Sequence, residues 1–172
     1  MTDNHLNRTI VVLVENKAGV LARVADLFAR SGYNIVSLAV APTDDERFSR
    51  ITIVVDVSST SVDQVVKQLN KLINVLEINE LDPSSSVERE LMMTTVTAAS
   101  AEARREIMDL VQVFDAQVLN VGFDKLMVSI AGSTRRLDDF EALLSRYGII
   151  EIQRTGKIAL NELAKVEPDP VG

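Results

Sequence analysis

Short apolar runs and apolar positions at helical spacing follow one another along this chain in a fixed order. Ile10–Val14 is a continuous apolar run and reads as a strand, after which Val20, Leu21, Val24, Leu27 and Phe28 mark one face of a helix. Beyond Gly32 come a strand at Ile35–Val40, a polar turn at Pro42-Thr43-Asp44-Asp45-Glu46, and a strand at Phe48–Asp56 in which Ile51, Ile53 and Val55 alternate. Ser61 stands where a helix cap belongs, ahead of Val62, Val65, Val66, Leu69, Leu72 and Ile73 at helical spacing. Val75–Leu81 closes the unit as a strand, and the order is βαββαβ, the ferredoxin-like split unit.

Asp82-Pro83-Ser84-Ser85-Ser86 gathers turn and linker residues, and the same order then recurs. Val87–Ala98 reads as a strand, Ala101–Phe114 as a helix through Ile107, Leu110, Val111 and Phe114, and Val118–Val121 with Lys125–Ala131 as a strand pair around Gly122. Leu137, Phe140, Leu143, Leu144 and Tyr147 mark a fourth helix, and Ile149–Leu160 a last strand broken near Gly156. The expectation is an α+β fold of two ferredoxin-like βαββαβ domains, residues 8–82 and 87–160, with a disordered tail at 161–172. The halves share architecture rather than residue identity, a structural repeat.

Two features of the first unit point to partners. Its first strand is apolar on both faces although helices cover only one, so the other face meets a second domain or subunit. In this topology the second and fourth strands are the edges. The fourth carries Glu77 and Glu80, which guard against pairing, whereas Ile35-Val36-Ser37-Leu38-Ala39-Val40 has neither charge nor proline. A two-fold copy of the chain occupies such an edge most simply, giving a homodimer with one continuous sheet.

Composition narrows the chemistry. With no cysteine and a single histidine, His5, among 172 residues, thiolate nucleophiles, zinc sites and most histidine general-base schemes drop out. A net charge of −7 argues against nucleic acid. No apolar stretch is long enough to span a membrane and no basic-then-apolar leader opens the chain, so a soluble cytoplasmic protein is expected.

What remains is a binding corner. Glu15-Asn16-Lys17-Ala18-Gly19 joins the first strand to the first helix, whose unpaired N–H groups and positive dipole end can hold a carboxylate without a basic side chain. Gly19 is a turn glycine, a point of close ligand approach, or both. Asn16 and Asn34 are caps or ligand contacts; a carboxamide both donates and accepts, which suits the zwitterionic end of a free amino acid. Asp44, Asp45 and Glu46 read as a solvated acidic tip rather than a metal site, and Glu88-Arg89-Glu90 as an alternating-charge strand edge. No acid, base and nucleophile converge, so an enzyme on this frame is disfavoured.

The segments Glu15-Asn16-Lys17-Ala18-Gly19-Val20-Leu21-Ala22-Arg23-Val24, Arg30-Ser31-Gly32-Tyr33-Asn34-Ile35, Val40-Ala41-Pro42-Thr43-Asp44, Ser49-Arg50-Ile51-Thr52-Ile53, Val87-Glu88-Arg89-Glu90-Leu91 and Arg154-Thr155-Gly156 carry a resemblance over nearly the whole chain. The chain resembles the small regulatory subunits of acetohydroxyacid synthase, also called acetolactate synthase, whose N-terminal half is an ACT domain. The resemblance implies a non-catalytic subunit in branched-chain amino acid biosynthesis. Such a subunit binds valine, or leucine or isoleucine, between two ACT domains, activates a separate catalytic subunit and confers feedback inhibition on it. It further implies effector contacts at Asn16, Gly19, Val20 and Leu21, with Asn34 and Ile35 across the interface. Thiamine diphosphate, FAD and magnesium belong by this resemblance to the catalytic partner and none to this chain. The competing assignment is a stand-alone amino-acid-sensing module for another enzyme or a transcription factor, for which neither helix-turn-helix spacing nor a basic patch is visible.

Overall fold

Ile10, Val12 and Val14 face one side of β1 (Asn7–Glu15), Val11 faces the other, and all four are buried. A strand with no exposed face belongs in the middle of a sheet. In the computed structural model, which describes residues 7–58 and 61–164, β1 lies between two antiparallel neighbours. The elements that follow it are α1 (Val20–Ser31), β2 (Asn34–Pro42), β3 (Phe48–Asp56), α2 (Val62–Leu69) and β4 (Val75–Leu81). The sheet order is β2-β3-β1-β4, so β2 and β4 are the edges, as the topology requires. The two helices cover one face, where Val24, Phe28, Val65 and Leu69 pack on Ile10, Val12, Ile51, Ile53 and Val55.

A 3-10 turn at Pro83–Ser85, pinned by the Ser84 N–H donating to the Asp82 carboxylate at 2.8 Å, leads into the second unit. This contains β5 (Ser86–Thr97), α3 (Ala101–Val113), β6 (Gln117–Val121), β7 (Lys125–Gly132), α4 (Thr134–Ser145), β8 (Ile149–Arg154) and β9 (Ile158–Asn161). Its sheet order is β6-β7-β5-β8, and Met92, Val96, Ile107, Val128, Leu137 and Phe140 form a separate core. The long β5 serves two partners: Glu90 onward pairs with β7, while Ser86 to Arg89 pair with β9. That ribbon lies on the helix-free face of the first sheet, where Val11, Leu81 and Ala159 bury one another. The second face of β1 therefore meets the second half of the same chain.

Local chemistry moved some boundaries. The α2 helix closes at Leu69 with Asn70 as its cap, so Leu72 packs on the core from a turn and Ile73, expected on the helical face, is 89% exposed. Ser61 is at the N-cap position, but its hydroxyl makes no capping bond. Strand β9 runs to Asn161, which pairs with Ser86, and the Glu162 N–H donates to Ser85 at 2.8 Å, so the first residues expected in a tail are held by the sheet. His5 and residues 165–172 lie outside the described residues. No helix among those described is long and apolar enough to cross a membrane.

Candidate functional site

Between Glu15 and Val20 the chain leaves the sheet and enters α1 through Gly19, whose φ of 83° is a left-handed conformation that side chains strain to adopt. That conformation favours the glycine, and nothing lies within 4 Å of where its β-carbon would stand, so the space above it is open. No side chain caps α1 and its first turn holds no acidic residue. The second unit differs: Ser100 and Ser133 accept from the Ala103 and Arg136 amides and close the starts of α3 and α4. At α1 the Val20 N–H reaches the Lys17 carbonyl at 3.3 Å, while the Leu21 and Ala22 amides meet no acceptor among the described residues. Two open donors at the positive end of a helix dipole are the chemistry that suits a carboxylate.

Asn16 ties this corner to the β2–β3 turn. Its N–H donates to the Arg47 carbonyl at 2.7 Å and its side-chain nitrogen to the Glu46 carbonyl at 2.8 Å, which engages part of its donor capacity and leaves its orientation fixed. The turn itself is braced, since the Asp45 carboxylate accepts from the Arg47 backbone at 3.0 Å and from its guanidinium at 2.9 Å. Hydrogen bonding to the Arg47 side chain holds the Asp45 pKa down at about 2. Among the described residues no group of three or more His, Cys, Asp or Glu is arranged to hold a metal ion.

Glu15 is the carboxylate nearest in sequence to the corner, and it is engaged elsewhere. Asn74 donates to it at 2.5 Å and Lys17 at 3.2 Å, and these two bonds lower its pKa below the usual carboxylate value. Arg23 of α1 donates to the same Asn74 at 2.5 Å, so helix, strand end and the approach to β4 are joined by one chain of polar contacts. Nothing local in the sequence announces Asn74, which lies 59 positions from its partner.

The expected contact residues divide into two groups. Val20 is buried in the first core, Leu21 is 42% exposed beside the open amides, and both stand with Asn16 and Gly19 at the Glu15 end of β1. Asn34 pairs with Asp56, which pairs with Asn7, so it lies at the opposite end of the sheet. The run of β1 between the two ends spans about 26 Å. Ile35, partly buried against the core, belongs to this distal group, and a bulge between Ile35 and Ser37 follows it. One chain alone does not bring the two groups together.

Two βαββαβ units, the first with an open helix start and an uncharged edge strand beside it, define the class: a two-domain α+β protein headed by an ACT domain. A family model described as "AHAS small subunit-like ACT domain" matches residues 10–77, and one described as "Small subunit of acetolactate synthase" matches residues 89–162. The chain belongs to the acetolactate synthase small-subunit family. A probable acetolactate synthase small subunit of Archaeoglobus fulgidus is 46% identical over 155 residues, covering 90% of this chain and 96% of that one. The acetolactate synthase small subunit of Mycolicibacterium smegmatis is 42% identical over 161 residues, 94% of each. The crystal structure of the small subunit from Thermotoga maritima superposes with a TM-score of 0.85 at 33% identity, covering 92% of this chain and 99% of that one.

Proposed function

We propose that this chain is the non-catalytic regulatory subunit of an acetolactate synthase, that it works as a homodimer, and that it binds valine or a close branched-chain relative at the seam between two ACT domains. The observation that carries the reading is the separation of the contact residues to opposite ends of one sheet. Leu38 is the midpoint of β2, and a two-fold axis there, pairing β2 with its copy, sets Asn34 of one chain opposite Pro42 of the other. Pro42 pairs with Ser49, next to the β2–β3 turn that Asn16 holds. Each seam end then combines an open helix start from one chain with Asn34 and Ile35 from the other. The ligand's carboxylate meets the Leu21 and Ala22 amides, and its ammonium group meets carboxamide oxygens.

The regulated partner is a separate catalytic subunit, to which the thiamine diphosphate, FAD and magnesium chemistry belongs. Regulation requires that valine bind one arrangement of the ACT pair better than another, with a coupling of about 1 to 3 kcal/mol. The test is calorimetric titration of the chain with L-valine, L-leucine and L-isoleucine while sedimentation records its oligomeric state. The expected result is a dimer that binds valine and loses that binding in Gly19→Asp, whose carboxylate repels the ligand's, with circular dichroism unchanged. A folded Gly19→Asp chain with undiminished affinity would remove the α1 start from the site.

A further inference from the structure

Gly156, buried and at a φ of 78°, lies against the backbone of β2: a β-carbon on it would stand 3.3 Å from the Leu38 carbonyl oxygen and 3.4 Å from the Ser37 β-carbon. These are the residues that follow the bulge after Asn34 and Ile35. The loop carrying Gly156 is locked to the second unit on its other side. The Thr155 N–H donates to the Leu91 carbonyl at 3.0 Å, and the Leu91 N–H donates to the Thr155 hydroxyl at 3.1 Å. Arg154 reaches Glu90 at 3.3 Å, Asp138 at 2.7 Å and Glu141 at 3.2 Å, so the loop is gripped by β5 and by α4 together. Glu90 is only 8% exposed, which makes this a largely desolvated pair rather than a surface one. Lys157 pairs with Glu88 at 2.8 Å, and Glu88 accepts from Thr9 of β1 at 3.4 Å. Glu88 thus ties the loop to β1 of the first unit, while Glu90 holds it to the second.

From this contact chain we infer that Arg154-Thr155-Gly156-Lys157 is the relay by which occupancy of the effector site reaches the second unit. The inference rests on the valine-site reading and adds to it the path of regulation. A β-strand passes a displacement along its length, because its ladder bonds and pleat resist compression. Ligand drawn against Asn34 and Ile35 acts across the bulge on Ser37 and Leu38, and Gly156, packed directly on them with no side chain between, shifts in turn. Arg154 carries that movement into α4 through Asp138 and Glu141. Because Leu38 is the midpoint of β2, a two-fold seam brings the joints of both chains close to its axis.

The experiment compares wild type with Gly156→Ala, which sets a methyl group 3.3 Å from the Leu38 carbonyl oxygen, at a φ that a side chain strains to adopt. Two quantities are read: valine affinity of the chain by calorimetry, and valine inhibition of the reconstituted holoenzyme together with its activity at zero valine. The expected result is unchanged activation at zero valine, with the half-inhibiting valine concentration of the holoenzyme raised about tenfold or more beyond any change in the chain's own valine affinity. A folded variant with wild-type inhibition overturns the relay. Hydrogen exchange on wild type needs no variant: valine should change the exchange rate of the Thr155 amide by about fivefold or more. Wild type that binds valine with no change in exchange across 154–157 overturns the relay and leaves the site standing. Wild type that does not bind valine at all overturns both.

Discussion

Asp45 is held by Arg47 through backbone and guanidinium together, and this fixes the turn on which Asn16 rests. Its folded pKa of about 2 lies below the unfolded value, so its contribution to stability is fully present above about pH 4 and disappears as pH falls through 2. An NMR titration of the Asp45 carboxyl carbon should show half-protonation near pH 2 in wild type and at a higher pH in Arg47→Ala, still below the ordinary aspartate value because the backbone N–H of residue 47 remains. Two phenylalanines make a second test at this scale. Phe28 is 1% exposed and packs edge-on against Tyr33 at 6.0 Å, whereas Phe123 is wholly exposed on the β6–β7 turn. Phe28→Ala should cost about 3 to 5 kcal/mol in urea unfolding, and Phe123→Ala no more than about 0.5 kcal/mol.

At the scale of elements, the proposed dimer pairs through β2, and the residues of that strand are not equivalent. Leu38 packs against the first core, so a lysine there would disturb folding as well as pairing. Val40 is 42% exposed, and Val40→Lys should weaken self-association by a charge alone, with valine affinity falling in step. Sedimentation at several concentrations checks this, and a dimer of full strength would move the interface away from β2. The elements themselves were legible from local patterns: β3 stands where the alternation of Ile51, Ile53 and Val55 put it, β4 where a closing strand was expected, and the strand after Ile149 breaks at Gly156. The end of α2 was not, since Leu72 and Ile73 keep helical spacing after the chain has already turned at Asn70. The same limit applies to the site. Gly19 and the open start of α1 are local features that a sequence announces. The grip of Asn16 on Glu46 and Arg47 and the seat of Gly156 on Leu38 join residues far apart in the chain, and no spacing rule encodes them.

The two units have separate cores, yet the molecule is not two independent halves. Val11 and Leu81 are 7% and 4% exposed because Ala159 and its ribbon cover them. A chain ending at Asp82 would return these side chains to water, each a loss of about 1.5 to 3 kcal/mol. It should bind a hydrophobic dye and self-associate through this face, in addition to any pairing through β2; dye fluorescence with sedimentation checks the expectation, and a dye-silent dimer would contradict it. The ribbon also has a place in time. Ala159 leaves the ribosome about 80 residues after Leu81, roughly 4 to 16 s later at ordinary synthesis rates. Throughout that interval the first unit is complete in its own strands but bare on one side, so the nascent chain must be shielded there or remain loosely folded. The strand that covers the first sheet's bare face is the last among the described residues, and a chain halted before it would be a sticky product rather than a working half.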